Sequence, residues 1–344
     1  RTTVVIIPVR SSYIRRKDMD SVLSCMVEDA AEPGAFLSKF LRVAKEQLAF
    51  EQGAAFRSPA FALGAALDCF ALPEGATVAL SALSPAYYAY VLKDKRLNPL
   101  WLDIEPDTGC PDTEALAKAR DGARVLLLFE GAGILPNPEE YVDLGIPVVE
   151  DVSESLGAFI GQTRAGSLGA LTLLGLEQGG LATAGGGALV YANGRREAQA
   201  LRNQADSLPP ELLMTDLNAA LGLSQIRALE RTFERRRELA RLFEEALARS
   251  KHAALRLPGE GEPAYFGLPV VLPAGVKDVR AYARKKEVDT ALAFEGSCVA
   301  RSLVPEGACP KAASLALRCL VFPLHPRIGK SAAQKVSRVL ATLP

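Results

Sequence analysis

Lysine is missing from one long stretch of this sequence: none occurs between Lys118 and Lys251, although Lys and Arg together number 40 among 344 residues. Histidine is almost absent, with His252 and His325 the only two. Six cysteines, Cys25, Cys69, Cys110, Cys298, Cys309 and Cys319, contain no C-x-x-C pair. With so few histidines to join them they specify no metal site, and they read as free thiols of a reducing compartment. No apolar stretch reaches 18 residues, which excludes a membrane-spanning helix. Forty acidic residues balance the forty basic ones. Nucleic acid is therefore not the expected partner, because its binders carry a surplus of cations. The run 4–7, broken by Pro8 and followed by Arg10, is too short for a secretory signal, so a cytoplasmic address is expected.

What is present is an alternation. Short runs rich in Val, Leu and Ile at 77–81, 99–104, 125–129 and 147–150 read as strands. Helical patterns at 60–71, 86–93, 113–119 and 138–144 lie between them, which predicts an α/β fold with a mostly parallel sheet. Ser58 followed by Pro59 is a helix start, the hydroxyl capping free N–H groups and the ring taking the first helical position. Two further apolar runs, 171–176 and 188–191, bracket Gly185-Gly186-Gly187, a turn expected to need positive φ. From 215 to about 250 one long helix is predicted, with Ile226, Leu229, Phe233, Ala240, Phe243 and Leu247 on its apolar stripe. The run Arg235-Arg236-Arg237 beside Glu234 and Glu238 reads as a solvated face. An apolar segment at 266–271, a helix at 276–286 and a last helix at 331–340 predict a smaller second unit.

Several motifs fail. Gly329-Lys330-Ser331 ends like a phosphate-binding loop, but Leu324 stands where the leading Gly is required. Gly131-Ala132-Gly133 begins like a dinucleotide fingerprint, yet Pro136 replaces the third Gly. There is no G-x-S-x-G elbow, and His325 in Phe322-Pro323-Leu324-His325-Pro326 reads as structural.

The segment Val148-Val149-Glu150-Asp151-Val152-Ser153-Glu154-Ser155-Leu156-Gly157-Ala158, followed by Ala165-Gly166-Ser167-Leu168-Gly169, resembles the DegT/StrS family of nucleotide-sugar aminotransferases. Gly75-Ala76-Thr77-Val78, Pro99-Leu100-Trp101-Leu102-Asp103-Ile104, Leu217-Asn218-Ala219-Ala220-Leu221-Gly222 and Phe322-Pro323-Leu324-His325-Pro326 look like its landmarks in family order. The resemblance implies a fold-type-I, pyridoxal-phosphate-dependent transferase fold: a large domain, 1–235, a small C-terminal domain, 236–344, and a dimer with two sites at its interface.

The chemistry that the resemblance implies lacks most of its groups here. In the family a lysine bonds to the cofactor and then moves the substrate proton, combining covalent and acid/base roles. Counting back from Ala184-Gly185-Gly186-Gly187 places that lysine at Gly179 or Gly180. The phosphate-binding S-G-T at a helix start becomes Ser58-Pro59-Ala60, where Pro59 has no N–H and Ala60 no hydroxyl. A further family serine falls among Leu173, Leu174 and Gly175. The ring-stacking aromatic falls at Pro85, with Tyr87 or Tyr88 within a local shift, and the partner subunit's N-x-R falls at Glu211-Leu212-Leu213. Asp151, the family partner of the pyridine nitrogen, is retained, with Glu154 where Gln is usual. Asp151 reads either as a ligand group at a strand end or as a cap on the following loop, and Glu154 reads as a solvated loop acid.

The expected function is therefore a family member that has lost transamination, needs no cofactor and acts by binding. Its ligand is expected to be a nucleotide sugar or another small polar molecule of sugar or polysaccharide biosynthesis, its partner a second copy or a catalytic paralogue. Two alternatives stay open. One is a pyridoxal phosphate enzyme, aminotransferase or dehydratase, that recruits an amine such as Lys93 or Lys251. The other is a cofactor-free activity of Asp151 and Glu154 as paired carboxylates.

Overall fold

A computed structural model describes residues 6–29 and 31–344. Of the run 4–7, residues 4 and 5 lie outside them.

Seven strands form the main sheet, in the spatial order Gln52–Phe56, Ala188–Ala192, Leu171–Gly175, Val148–Asp151, Val125–Phe129, Thr77–Ser81 and Asn98–Leu102. Ala188–Ala192 alone runs against the others. Leu171–Gly175 and Val125–Phe129 are buried along their whole length, because helices cover both faces. One face packs on Pro59–Asp68 through Leu63 and Leu67, the other on Ala35–Leu48 and Asp216–Ile226 through Phe40 and Leu223.

The strands at 77–81 and 125–129 stand where their apolar runs place them, and the strand predicted at 147–150 extends to Asp151. The helix after Ser58 ends at Asp68 rather than 71. The glycine turn has the expected backbone, with φ of 73°, 144° and 88° at Gly185, Gly186 and Gly187.

The single helix expected over 215–250 is two, Asp216–Ile226 and Leu229–Leu247. Ala228 donates to Gln225 O, a three-residue turn that redirects the axis. The redirected helix serves two cores: Leu229 and Phe233 pack with the main-sheet cluster, whereas Leu239, Ala240, Phe243 and Leu247 pack with a second. That second core lies on an antiparallel sheet ordered Ala253–Ala254, Leu268–Val271, Cys319–Phe322 and Ala291–Leu292. The solvated reading of the arginine run holds for Arg235 and Arg237, which pair with Glu238 and with Glu230 and Glu262. It fails for Arg236, which is 2% exposed and donates from one nitrogen to the carbonyls of Tyr265, Phe266 and Leu324.

Candidate functional site

The carboxyl ends of parallel strands form the natural ligand crevice of an open α/β sheet. Here that crevice holds a cavity of about 190 Å³ reached by Phe129, Asp151 and Gly175 from three strands. Arg10, Pro59, Pro85, Tyr87 and Phe266 also wall it, and residues 153–154 and 177–180 complete it.

Asp151 is 1% exposed and both of its oxygens are engaged from within the chain. Oδ1 accepts the Ser153 N–H at 2.9 Å and the Ser153 hydroxyl, which folds the following loop back on the carboxylate. Oδ2 accepts the Tyr88 hydroxyl at 2.5 Å and, at 3.4 Å, that of Tyr87. Burial raises the Asp151 pKa above the ordinary aspartate range, and the Ser153 and tyrosine hydrogen bonds pull it down again. Asp151 thus lines the cavity and also ties down its loop. Tyr87 and Tyr88 stand edge to face at 5.0 Å, Tyr87 on the cavity wall and Tyr88 in the core behind it.

Glu154 is not the solvated acid expected. Its side chain is 18% exposed, its Oε2 accepts the Ala132 N–H at 2.7 Å, and its Oε1 lies 3.9 Å from Arg10. Burial raises its pKa, while Arg10 and the Ala132 N–H oppose the shift. Arg10 lies over the Phe266 ring, 4.7 Å from its centroid, and Arg236 holds the Phe266 backbone from below. Sequence reasoning passed over Arg10, Ser153, Glu177 and Phe266. The side chain at 153 alone had a local signal, an Asp two residues before a hydroxyl.

Gly179 and Gly180 both line the cavity. The Gly179 N–H donates to Ser12 Oγ at 3.0 Å, and its φ of 83° disfavours any side chain. At Gly180 a Cβ would stand 2.8 Å from Ala182 O, so a side chain there meets backbone. Lys93 and Lys251 are exposed, and neither lines the cavity. Ser58 turns its hydroxyl to the Phe61 N–H at 3.2 Å, so the helix start is capped by its own chain and only Pro59 faces the cavity.

Behind the strand ends, on the opposite face from Asp151, two buried acids meet. Glu150 accepts the Gly166, Leu168 and Gly169 N–H groups at 2.6, 2.8 and 2.7 Å. Glu130 accepts the Ser155 hydroxyl on Oε2, and among the described residues no hydrogen-bond donor reaches its Oε1. Burial, reinforced by the Glu150 charge, pushes the Glu130 pKa well above the carboxylate range.

Residues 12–341 match the DegT/DnrJ/EryC1/StrS aminotransferase family. EpsN of Bacillus subtilis, a provisionally named pyridoxal phosphate-dependent aminotransferase, is 23% identical over 237 residues, covering 62% of this chain and 61% of EpsN. The L-glutamine:2-deoxy-scyllo-inosose aminotransferase of Micromonospora echinospora is 26% identical over 229 residues, covering 58% of this chain and 54% of that enzyme. The alignments thus span about three fifths or less of these relatives. Over the whole fold, the aminotransferase TlmJ of Streptoalloteichus hindustanus superposes with a TM-score of 0.87 at 18% identity, covering 97% of this chain and 98% of TlmJ. GDP-4-keto-6-deoxy-D-mannose-3-dehydratase of E. coli superposes at 0.86 with 17% identity, covering 98% and 100%. The α/β fold expected from the alternation is that of fold-type-I pyridoxal phosphate transferases, and the chain belongs to the DegT/DnrJ/EryC1/StrS aminotransferase family.

Proposed function

We propose that this family member does not transaminate through pyridoxal phosphate and works by binding, as a partner subunit in sugar or polysaccharide biosynthesis. One observation carries the reading: among the described residues the strand-end cavity is lined by no amine, and the groups it does have do not fit the family cofactor. A side chain is disfavoured at Gly179 by its φ of 83° and would meet backbone at Gly180. A phosphate needs donors, and the helix start offers Pro59 and a serine already occupied with Phe61. Among the described residues around the cavity three carboxylates, Asp151, Glu154 and Glu177, outnumber one cation, Arg10, an excess that repels a dianion. The cavity is also smaller than the roughly 300–1,000 Å³ typical of organic ligand sites. A small, uncharged polar group fits it better, and a nucleotide sugar would need further surface from a second copy or a catalytic paralogue.

The test is to incubate the purified chain with excess pyridoxal phosphate, reduce with borohydride and map adducts by mass spectrometry. The expected result is no stoichiometric adduct at any lysine and no amino transfer from glutamine or glutamate to a nucleotide keto sugar. A single lysine fixed in full yield, or measurable transfer, overturns the reading.

A further inference from the structure

Charge is unevenly divided along this neutral chain. Residues 251–344 carry 14 Lys and Arg against 7 Asp and Glu, so the rest carries the compensating negative excess. Part of that positive excess converges on a cleft of about 610 Å³ between the helices Val276–Lys285 and Lys330–Ala341, which shares no lining residue with the strand-end cavity.

Lys285 and Lys286 reach the cleft from the end of the first helix. Lys335 and Arg338, three residues apart and hence on one face, reach it from the second. Lys335 pairs with Glu287, the acid of the cleft. Among the described residues no carboxylate lies within 4.0 Å of Lys285, Lys286 or Arg338, and all three are exposed. Both helices end at this cleft, and their carbonyl ends are worth about half a negative charge each. That offsets one cation and Glu287 a second, which leaves roughly two positive charges in excess. The walls are hydrocarbon: Val339, Ala341, the lysine stems and the Tyr282 ring, whose hydroxyl is held by Thr342 at 2.7 Å.

We propose that this cleft binds an organic diphosphate, its anionic end on Lys285, Lys286 and Arg338 and its body on the apolar wall. The volume lies within the roughly 300–1,000 Å³ of organic ligand sites, which a bare anion would leave mostly unfilled. The positive excess draws a polyanion such as a diphosphate and has no counterpart in a neutral sugar. The inference is independent of the reading of the strand-end cavity.

Calorimetric titration of the full chain at low ionic strength with UDP, geranyl diphosphate and inorganic pyrophosphate tests it. At least one of the two organic diphosphates is expected to saturate at one site per chain, about tenfold or more tighter than pyrophosphate. Whichever binds more tightly identifies the body as nucleoside or isoprenoid. Lys285→Ala/Arg338→Ala is expected to weaken binding about tenfold or more without changing Tm, and Lys285→Glu/Arg338→Glu to abolish it. Hydrogen exchange is expected to slow at 282–287 and 335–342. No saturation by either organic diphosphate, equal affinity for pyrophosphate, affinity unchanged in the double variants, or protection confined to 150–180 overturns the proposal.

Discussion

The Tyr88 hydroxyl donates to Asp151 Oδ2 at 2.5 Å, across 63 positions of chain and with both side chains 1% exposed. Asp151 lines the strand-end cavity, and its Oδ2 is turned to a tyrosine of the core. Tyr88→Phe keeps the ring and removes this donor, leaving Oδ2 with the 3.4 Å contact to Tyr87. The loss is expected to cost about 1–3 kcal/mol near pH 7. The sign with pH follows from the raised folded pKa of Asp151. Its contribution is fully present below the unfolded pKa and is lost as pH rises through the folded one. Without Tyr88 the folded pKa climbs further, so the penalty of the variant should shrink as pH falls toward the aspartate range. Urea unfolding of both proteins near pH 7 and near pH 5 measures this, and a penalty equal at both values would show that Asp151 does not change its charge between them.

Gly180 tests whether the site has closed against an amine. Its Cβ position lies 2.8 Å from Ala182 O and 3.2 Å from Glu177 O, both backbone atoms that cannot swing aside. Gly180→Ala is expected to lose about 1–3 kcal/mol, as overpacked substitutions do. Gly180→Lys should lose at least as much and still trap no pyridoxal phosphate under borohydride. Were Gly180→Lys to leave Tm unchanged and yield a fixed adduct, the site would need only its amine back.

The sheet was legible because its signal is local. Val125-Leu126-Leu127-Leu128-Phe129 is buried on both faces, and a strand with no solvent side needs only an unbroken apolar run. The Ser58 cap was legible for the same reason, its donor lying three residues away. The family motif also marked Asp151 and the glycines at 179 and 180, but not what surrounds them. Arg10 with Glu154, and Tyr88 with Asp151, are brought together by the fold across long stretches of chain, and no periodicity encodes such a pair. Arg236 was misread because its two neighbours do face solvent. Helical geometry turns it about 100° from each of them, into a shell of three carbonyls contributed from residues 265, 266 and 324.

Glu130 carries the clearest dependence on pH. Around it stand Glu150, Asp151, Tyr141 and the Ser155 hydroxyl, with no cation among the groups that shift it. Folding therefore favours its protonated form, and the stability attached to this group is present below the unfolded glutamate pKa and declines as pH rises toward the raised folded value. Glu130→Gln removes the titration while keeping an oxygen for Ser155 and adding an N–H that can meet Glu150. Above neutral pH the variant should therefore be more stable than the parent, by an amount that grows as pH rises toward the folded value. Near pH 4.5 the gain should vanish. Glu150→Gln should destabilise at neutral pH, because three backbone N–H groups then lose a charged acceptor. Chemical denaturation from about pH 4.5 to pH 9 separates the two variants, and a stability of Glu130→Gln that ran parallel to the parent's across that range would show that Glu130 is not the proton-holding member of the pair.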